Sequence, residues 1–184
     1  MLILVTYATV EGQTAKIART AADQIESAGH EVILADVRQP GFAVPGRFDA
    51  VVVCAPIHNG HYPEPMVAFV DRFSDALNAV PSALITVSLS IDSPFEEERQ
   101  EAQAYPYGLA EATNWAPGAR CNLAGALKFS EYNYFKRLLM KRIAVHEQGT
   151  VDTSQDYELT DWAALQLFVG EFLADAGKTM SVSR

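Results

Sequence analysis

Five short stretches of this chain are apolar at nearly every position rather than at every second one: Leu2–Thr6, Val32–Ala35, Val51–Ala55, Ala83–Val87 and Leu123–Leu127. Strands of that kind need apolar cover on both faces, which a parallel sheet between two helical layers supplies. Helical spacing fills the intervals. Ile17, Ala18, Ala21, Ala22 and Ile25 share one face, and Gly29 marks a stop. Met66, Phe69, Val70, Phe73 and Leu77 share another. Ser93-Pro94-Phe95-Glu96 has the form of a capping box and predicts a helix running toward Asn114. Trp162, Leu165, Val169, Phe172, Leu173 and Ala176 mark the last helix, with Thr160 as the expected cap. Alternating strands and helices imply right-handed crossovers and a doubly wound α/β fold. Residues between Val37 and Phe48 hold Pro40, Gly41, Pro45 and Gly46, which predicts a loop. Ser130–Glu158 is a second irregular stretch, where a minimal fold of this type needs only a turn.

The chain has 184 residues, which at roughly 150 per domain predicts a single domain spanning 1–184. Its net charge of −9 repels phosphate backbones, so nucleic acid is not an expected partner. Cys54 and Cys121 both sit in apolar runs and are expected to be buried free thiols in a reducing compartment. Met1–Tyr7 has no basic n-region and no cleavage site, so no signal peptide is expected. No apolar run approaches the ~20 residues that cross a bilayer. The expected location is cytoplasmic.

Ligands of doubly wound sheets bind outside the carboxyl ends of the strands, at the switch in strand order. The first strand runs into Thr9-Val10-Glu11-Gly12-Gln13-Thr14, and a helix follows at once. Free N–H groups and the helix dipole at such a start attract phosphate. Thr9 and Thr14 add hydroxyls, and Gly12 permits a close turn. The alternative is an ordinary threonine-capped turn. Neither a triphosphatase loop with lysine nor the dinucleotide glycine pattern is present. A monophosphate held by amides and hydroxyls fits this string.

This loop resembles the T-x-x-G-x-T phosphate loop of flavodoxins. Over nearly its whole length the chain more closely resembles the flavodoxin-fold, quinone-dependent protoporphyrinogen oxidases. The matching pieces are Glu11-Gly12-Gln13-Thr14, Gly60-His61-Tyr62, Pro81-Ser82-Ala83, Ala124-Gly125-Ala126-Leu127 and Thr160-Asp161-Trp162, with the long segment before the last helix. The resemblance implies a flavodoxin-like, five-stranded parallel sheet in the order 2-1-3-4-5. It also implies a helical insertion at about 130–158.

The resemblance further implies FMN, with its phosphate on Thr9–Thr14 and its ring between two loops. One is Pro56-Ile57-His58-Asn59-Gly60-His61-Tyr62; the other is Val87-Ser88-Leu89-Ser90. Gly60 allows backbone to approach a flat ring, and Tyr62 or His58 could stack on it. The alternative leaves the histidines exposed and packs Tyr62 on the next helix. No catalytic side chain is singled out, because the flavin carries the chemistry. His58 and His61 lack a third ligand, so no metal is expected.

Within the insertion, Tyr132–Ile143 holds two basic pairs in an acidic chain. On a helix, Phe135, Leu138, Leu139 and Ile143 form an apolar face. Arg137 and Lys141 lie roughly opposite that face, Lys136 on its flank, and Arg142 within it. This mixture suits an anionic membrane surface, which would make the protein peripheral on the cytoplasmic face. It equally suits a flat anionic substrate, and a core-covering helix or a contact in a homo-oligomer remains open. The family commonly places basic residues soon after the fourth strand. Here Asp92, Glu96, Glu97, Glu98 and Glu101 stand there against Arg99.

The activity implied is FMN-dependent oxidation of protoporphyrinogen IX to protoporphyrin IX with a membrane quinone as acceptor, a step of heme biosynthesis. An electron-carrier flavodoxin, favoured by the acidic charge, and a nicotinamide-dependent quinone reductase are the alternatives.

Overall fold

The computed structural model describes residues 1–39, 42, 44–127 and 157–182. The parallel sheet comprises β1 (Leu2–Tyr7), β2 (Glu31–Asp36), β3 (Ala50–Pro56), β4 (Ser82–Val87) and β5 (Ala119–Leu123). Their order is β2-β1-β3-β4-β5, the arrangement the resemblance implied. The helices are α1 (Gln13–Ser27), α2 (Glu64–Asn78), α3 (Glu96–Thr113) and α4 (Trp162–Val182). Among the described residues no helix lies between β2 and β3.

Alternate residues of each strand feed two cores. Ile3, Val5, Val52, Cys54, Ile85 and Leu123 meet Ile17, Ala18, Ala21 and Ile25 of α1, together with Leu165, Val169 and Phe172 of α4. Leu4, Val51, Val53 and Leu84 meet Met66, Phe69 and Leu77 of α2, with Leu109 of α3 and Trp115. Every residue of β3 and β4 is buried, which is why those two stretches are continuously apolar. Helix α1 ends in a Schellman motif: His30 N–H donates to the Ile25 carbonyl at 3.3 Å, and Gly29 N–H to that of Glu26 at 2.9 Å.

Three local expectations are corrected. The fifth strand is Ala119–Leu123, not Leu123–Leu127. It is an edge strand, and Arg120 and Asn122 give it the polar alternation of a half-covered strand. Ser88 N–H takes the Leu123 carbonyl at 3.0 Å, and the chain then breaks away at Ala124-Gly125. Ala126–Leu127 instead forms β6, antiparallel to β7 (Tyr157–Glu158). Helix α4 is capped by Asp161, whose carboxylate accepts from Ala164 N–H at 2.9 Å, because Thr160 donates its hydroxyl to the Ala124 carbonyl. Ser93 does not cap α3. Its hydroxyl accepts from Phe95 N–H at 3.2 Å and donates to Glu98 at 2.6 Å, and the helix starts at Glu96.

Cys54 is fully buried and Cys121 only partly so, against the expectation that both are buried. Burial pushes the Cys54 thiol far above its ordinary range and that of Cys121 up to about 11. Both are inert thiols at neutral pH. The expected helical insertion, with Phe135, Lys136, Arg137, Lys141 and Arg142, lies outside the described residues apart from its last two positions. The β6–β7 ribbon brings residues 127 and 157, on either side of the undescribed stretch, next to one another.

Candidate functional site

The switch in strand order lies between β1 and β3, and a cleft of about 370 Å³ opens at their carboxyl ends. That volume is in the range of small-molecule and cofactor sites.

The loop from β1 to α1 forms one end of the cleft. Thr9, Val10, Glu11, Gln13 and Thr14 line it. Gly12 takes φ 92° as the N-cap of α1, a left-handed conformation that a glycine adopts without strain. No side chain caps this helix, so its first amides are left for another acceptor. Gly12 N–H turns back onto the Thr9 hydroxyl oxygen at 2.8 Å and sets the loop's curvature.

Arg38, just beyond β2, braces the loop from outside. It donates to the Thr9 carbonyl and is held by Asp36 through Nε at 3.0 Å and Nη2 at 2.7 Å. The guanidinium hydrogen bond holds the Asp36 carboxyl below the ordinary carboxylate range. Sequence reasoning missed Arg38. It lies in a loop with no motif, and only the parallel pairing of β1 with β2 brings it to Thr9.

The second loop leaves β3 as Pro56-Ile57-His58-Asn59-Gly60. His58 and His61 form a two-residue hairpin, with N–H to carbonyl distances of 2.9 and 3.1 Å. Asn59 at φ 50° and Gly60 at φ 81° have the positive φ pair of a type I′ turn. Asn-Gly between two histidines is the local pattern of such a turn, although the sequence reading took this stretch only as a loop. The turn carries Pro56, Ile57, His58, Asn59 and Gly60 into the cleft lining.

His61 and Tyr62 stand on the other side of the hairpin, lining a second cavity of about 410 Å³ against α3. His61 is exposed. The Tyr62 ring packs on the α2–α3 core, and its hydroxyl pairs with that of Thr86 at 2.8 Å. Burial raises this phenol to about 12, partly offset by the Thr86 hydrogen bond. The structure therefore directs Tyr62 away from the cleft and leaves His58 as the aromatic ring of this loop inside it.

The third loop is Val87-Ser88-Leu89-Ser90, all four lining the cleft. Ile57 N–H donates to the Val87 carbonyl at 2.8 Å, which ties the second and third loops together. Ser88 is buried and accepts from Ser90 N–H at 3.2 Å, starting a short 3-10 turn at Leu89–Asp92.

Five further lining residues escaped the sequence reading: Glu98, Glu101 and Tyr105 of α3, with Gly125 and Ala126. An α3 face turned to the cleft has no distinct periodicity, and Gly125-Ala126 reads as strand. A Cβ at Gly125 would lie 3.3 Å from Val87 Cγ1, so glycine admits this link against β4. Among the described lining residues the acidic side chains are Glu11, Glu98 and Glu101, and none is lysine or arginine. Among the described residues, an anion here meets amides and hydroxyls rather than lysine or arginine. Among the described residues no cluster of three His, Cys, Asp or Glu side chains could hold a metal, and no helix is long and apolar enough to cross a membrane.

Comparison with known proteins fits this geometry. The chain is 29% identical over 171 residues to the protoporphyrinogen IX dehydrogenase [quinone] of Escherichia coli K12, covering 93% of this chain and 94% of that one. It is 27% identical over 172 residues to a protein of the same name from Leishmania major, covering 93% and 74%. Among solved structures, the Streptococcus pneumonia TIGR4 flavodoxin superposes with a TM-score of 0.55 at 15% identity, over 95% of this chain and 99% of that one. A Fusobacterium nucleatum flavodoxin bound to flavin mononucleotide gives 0.51 at 12% identity, over 97% and 96%. The family model for the flavodoxin domain matches residues 4–154. The chain, by this match and by its sheet order, belongs to the flavodoxin domain family.

Proposed function

We propose that this protein is an FMN-dependent dehydrogenase that oxidises protoporphyrinogen IX and passes the electrons to a quinone. The observation that carries the cofactor is the uncapped start of α1, which faces the same cleft that the β3 and β4 loops flank. Its relatives in Escherichia coli and Leishmania supply the substrate class by their names.

The residues present fit FMN. The amides of Gln13 and Thr14 and the hydroxyls of Thr9 and Thr14 would hold the phosphate without a lysine. Pro56–Gly60 and Val87–Ser90, which both line the cleft, would flank the ring, with His58 available to contact it. Glu11, Glu98 and Glu101 make the described walls unsuited to carboxylates, so the substrate's propionates face away from α3. The basic residues Lys136, Arg137, Lys141 and Arg142 are the remaining candidates to meet those propionates or an anionic cytoplasmic membrane surface. Bound FMN takes electrons from the substrate in pairs and yields them to the acceptor.

The acidic rim on α3 favours a second reading, an electron carrier that docks basic partners. One experiment separates the two. The FMN-loaded protein is mixed anaerobically with protoporphyrinogen IX, and a quinone is then added. Rapid flavin bleaching followed by quinone-dependent recovery is expected. A flavin that stays oxidised with this substrate, but is reduced by a flavodoxin reductase, would establish the carrier instead.

A further inference from the structure

Glu101 and Tyr105 lie one turn apart on α3, and the Tyr105 hydroxyl donates to Glu101 Oε1 at 3.1 Å. Both residues line the cleft and the second cavity behind the hairpin. A Cβ added to Gly60 would lie 4.0 Å from Glu101 Oε1 and 4.0 Å from the Tyr105 hydroxyl. The pair therefore faces the tip of the ring-flanking hairpin across one van der Waals layer. Glu101 is also exposed on its outer side.

Each two-electron step of the proposed reaction removes two hydrogens from the reduced tetrapyrrole. One C–H bond breaks, and that hydrogen leaves with its electron pair to oxidised FMN. In the first two steps an N–H bond breaks, its electrons form a new double bond in the macrocycle, and a proton is left over; in the third the proton comes from the last bridging carbon, so that four C–H and two N–H hydrogens leave in all. That proton needs an acceptor inside the cleft and a route out of it.

We propose that the Glu101 carboxylate, oriented by Tyr105, accepts this proton and releases it to water. The inference rests on the dehydrogenase reading. Other groups around this position are already directed elsewhere. Glu98 accepts from the buried Ser93 hydroxyl at 2.6 Å. Glu11 stands at the phosphate end. Tyr62 is turned to Thr86, and His61 opens onto the second cavity. His58 is the competing acceptor, facing the cleft from the hairpin. Glu101 differs from it in being more exposed and in lining the second cavity as well as the cleft. Tyr105 is a positioning residue, since it acts through Glu101.

The test is anaerobic, single-turnover flavin reduction by protoporphyrinogen IX as a function of pH. It compares the wild type with Glu101→Gln, Tyr105→Phe and His58→Gln. FMN dissociation constants and flavin absorbance spectra are recorded for all four. Glu101→Gln should reduce the rate by at least about 100-fold, the low end for a general base, and abolish its fall at acid pH. Tyr105→Phe should cost about 3- to 10-fold, the worth of one hydrogen bond, and leave the acid limb in place. FMN affinity and spectrum should be unchanged in both. A wild-type rate and acid limb in Glu101→Gln would overturn the assignment, as would a loss matched by loss of FMN binding. Disappearance of the acid limb in His58→Gln alone would transfer the role to that residue. A wild-type flavin that the substrate does not reduce would refute the dehydrogenase reading itself, and this assignment with it.

Discussion

The side-chain amide of Gln13, the first residue of α1, donates to Glu158 Oε1 at 2.9 Å, across 145 residues of sequence. The same carboxylate receives Lys16 Nζ at 2.9 Å, and Lys16 lies 5.0 Å from the Trp162 ring centroid. Gln13 also donates to the Thr160 hydroxyl at 2.9 Å. The start of α1 and the end of β7 are thus pinned to one another. Hydrogen bonds from Lys16 and Gln13 hold the Glu158 carboxyl below the ordinary carboxylate range.

A lowered folded-state pKa means that the Glu158 contribution exists above the unfolded value. It is lost as pH falls through the folded value. Glu158→Ala should lower Tm at neutral pH by no more than about 2–4 °C, because exposed ion pairs are worth about 1 kcal/mol or less. The difference from wild type should shrink as pH falls below the ordinary carboxylate value and vanish only below the lower, folded-state value. Melting curves across that range check it. A difference that persists in acid would assign the effect to side-chain packing.

Thr14 is buried and lines the cleft at the first turn of α1. Thr14→Ala should weaken FMN by roughly 1–3 kcal/mol, the scale for a hydrogen bond to a charged acceptor. Riboflavin, which lacks the phosphate, should be insensitive to this change and bind more weakly to the wild type. Fluorescence titration with both flavins measures this. Equal wild-type affinity for the two would remove the phosphate from this loop.

The β1–α1 loop was legible in sequence as a candidate phosphate site because its pattern is local. Glycine, flanking hydroxyls and a helix start lie within six residues, Thr9–Thr14. The sheet was legible where it is covered on both faces and apolar at nearly every position, as in β3 and β4. It was misplaced at β5, where an edge strand trades apolar residues for Arg120 and Asn122. Parts built by tertiary contact left no local trace. Arg38 reaches Thr9 through the β1–β2 pairing, and α3 turns Glu98, Glu101 and Tyr105 to the cleft. Tyr62 was ambiguous because an aromatic residue after a hairpin can turn to either side. Its hydrogen bond to Thr86 turned it inward.

Arg38 contributes a contact to the Thr9 carbonyl and one positive charge near the phosphate loop. Arg38→Gln should weaken FMN by about 1 kcal/mol, roughly fivefold, because the side chain is part-exposed and water screens it. Riboflavin affinity should change less. Titrations at low and high salt check it, since a charge effect shrinks with screening and a tether does not. An unchanged affinity under both conditions would make Arg38 a partner of Asp36 alone.

The basic stretch Phe135–Ile143 carries Lys136, Arg137, Lys141 and Arg142 in a chain of net charge −9. Changing all four to Gln should abolish sedimentation with anionic liposomes, at about 1 kcal/mol per basic residue near such a surface. Salt should do the same to the wild type. Wild-type protein that stays in the supernatant at low salt would dismiss the membrane and leave the substrate as their target.

The Asn59-Gly60 hairpin separates the two histidines by role. His58 faces the cleft, and His61 faces the second cavity with its side chain exposed. Both central residues have positive φ, which a β-branched residue tolerates poorly. Gly60→Val should therefore strain the turn by about 1–2 kcal/mol and loosen the loop that flanks the ring. The variant should show a lower Tm, weaker binding of FMN and riboflavin alike, and an altered flavin spectrum. His58→Ala should change the flavin spectrum or affinity with Tm nearly unchanged. His61→Ala should change neither by more than about 0.5 kcal/mol, the usual scale at an exposed site. Equal spectral effects from the two histidine variants would show that the hairpin turns both rings to the flavin in solution.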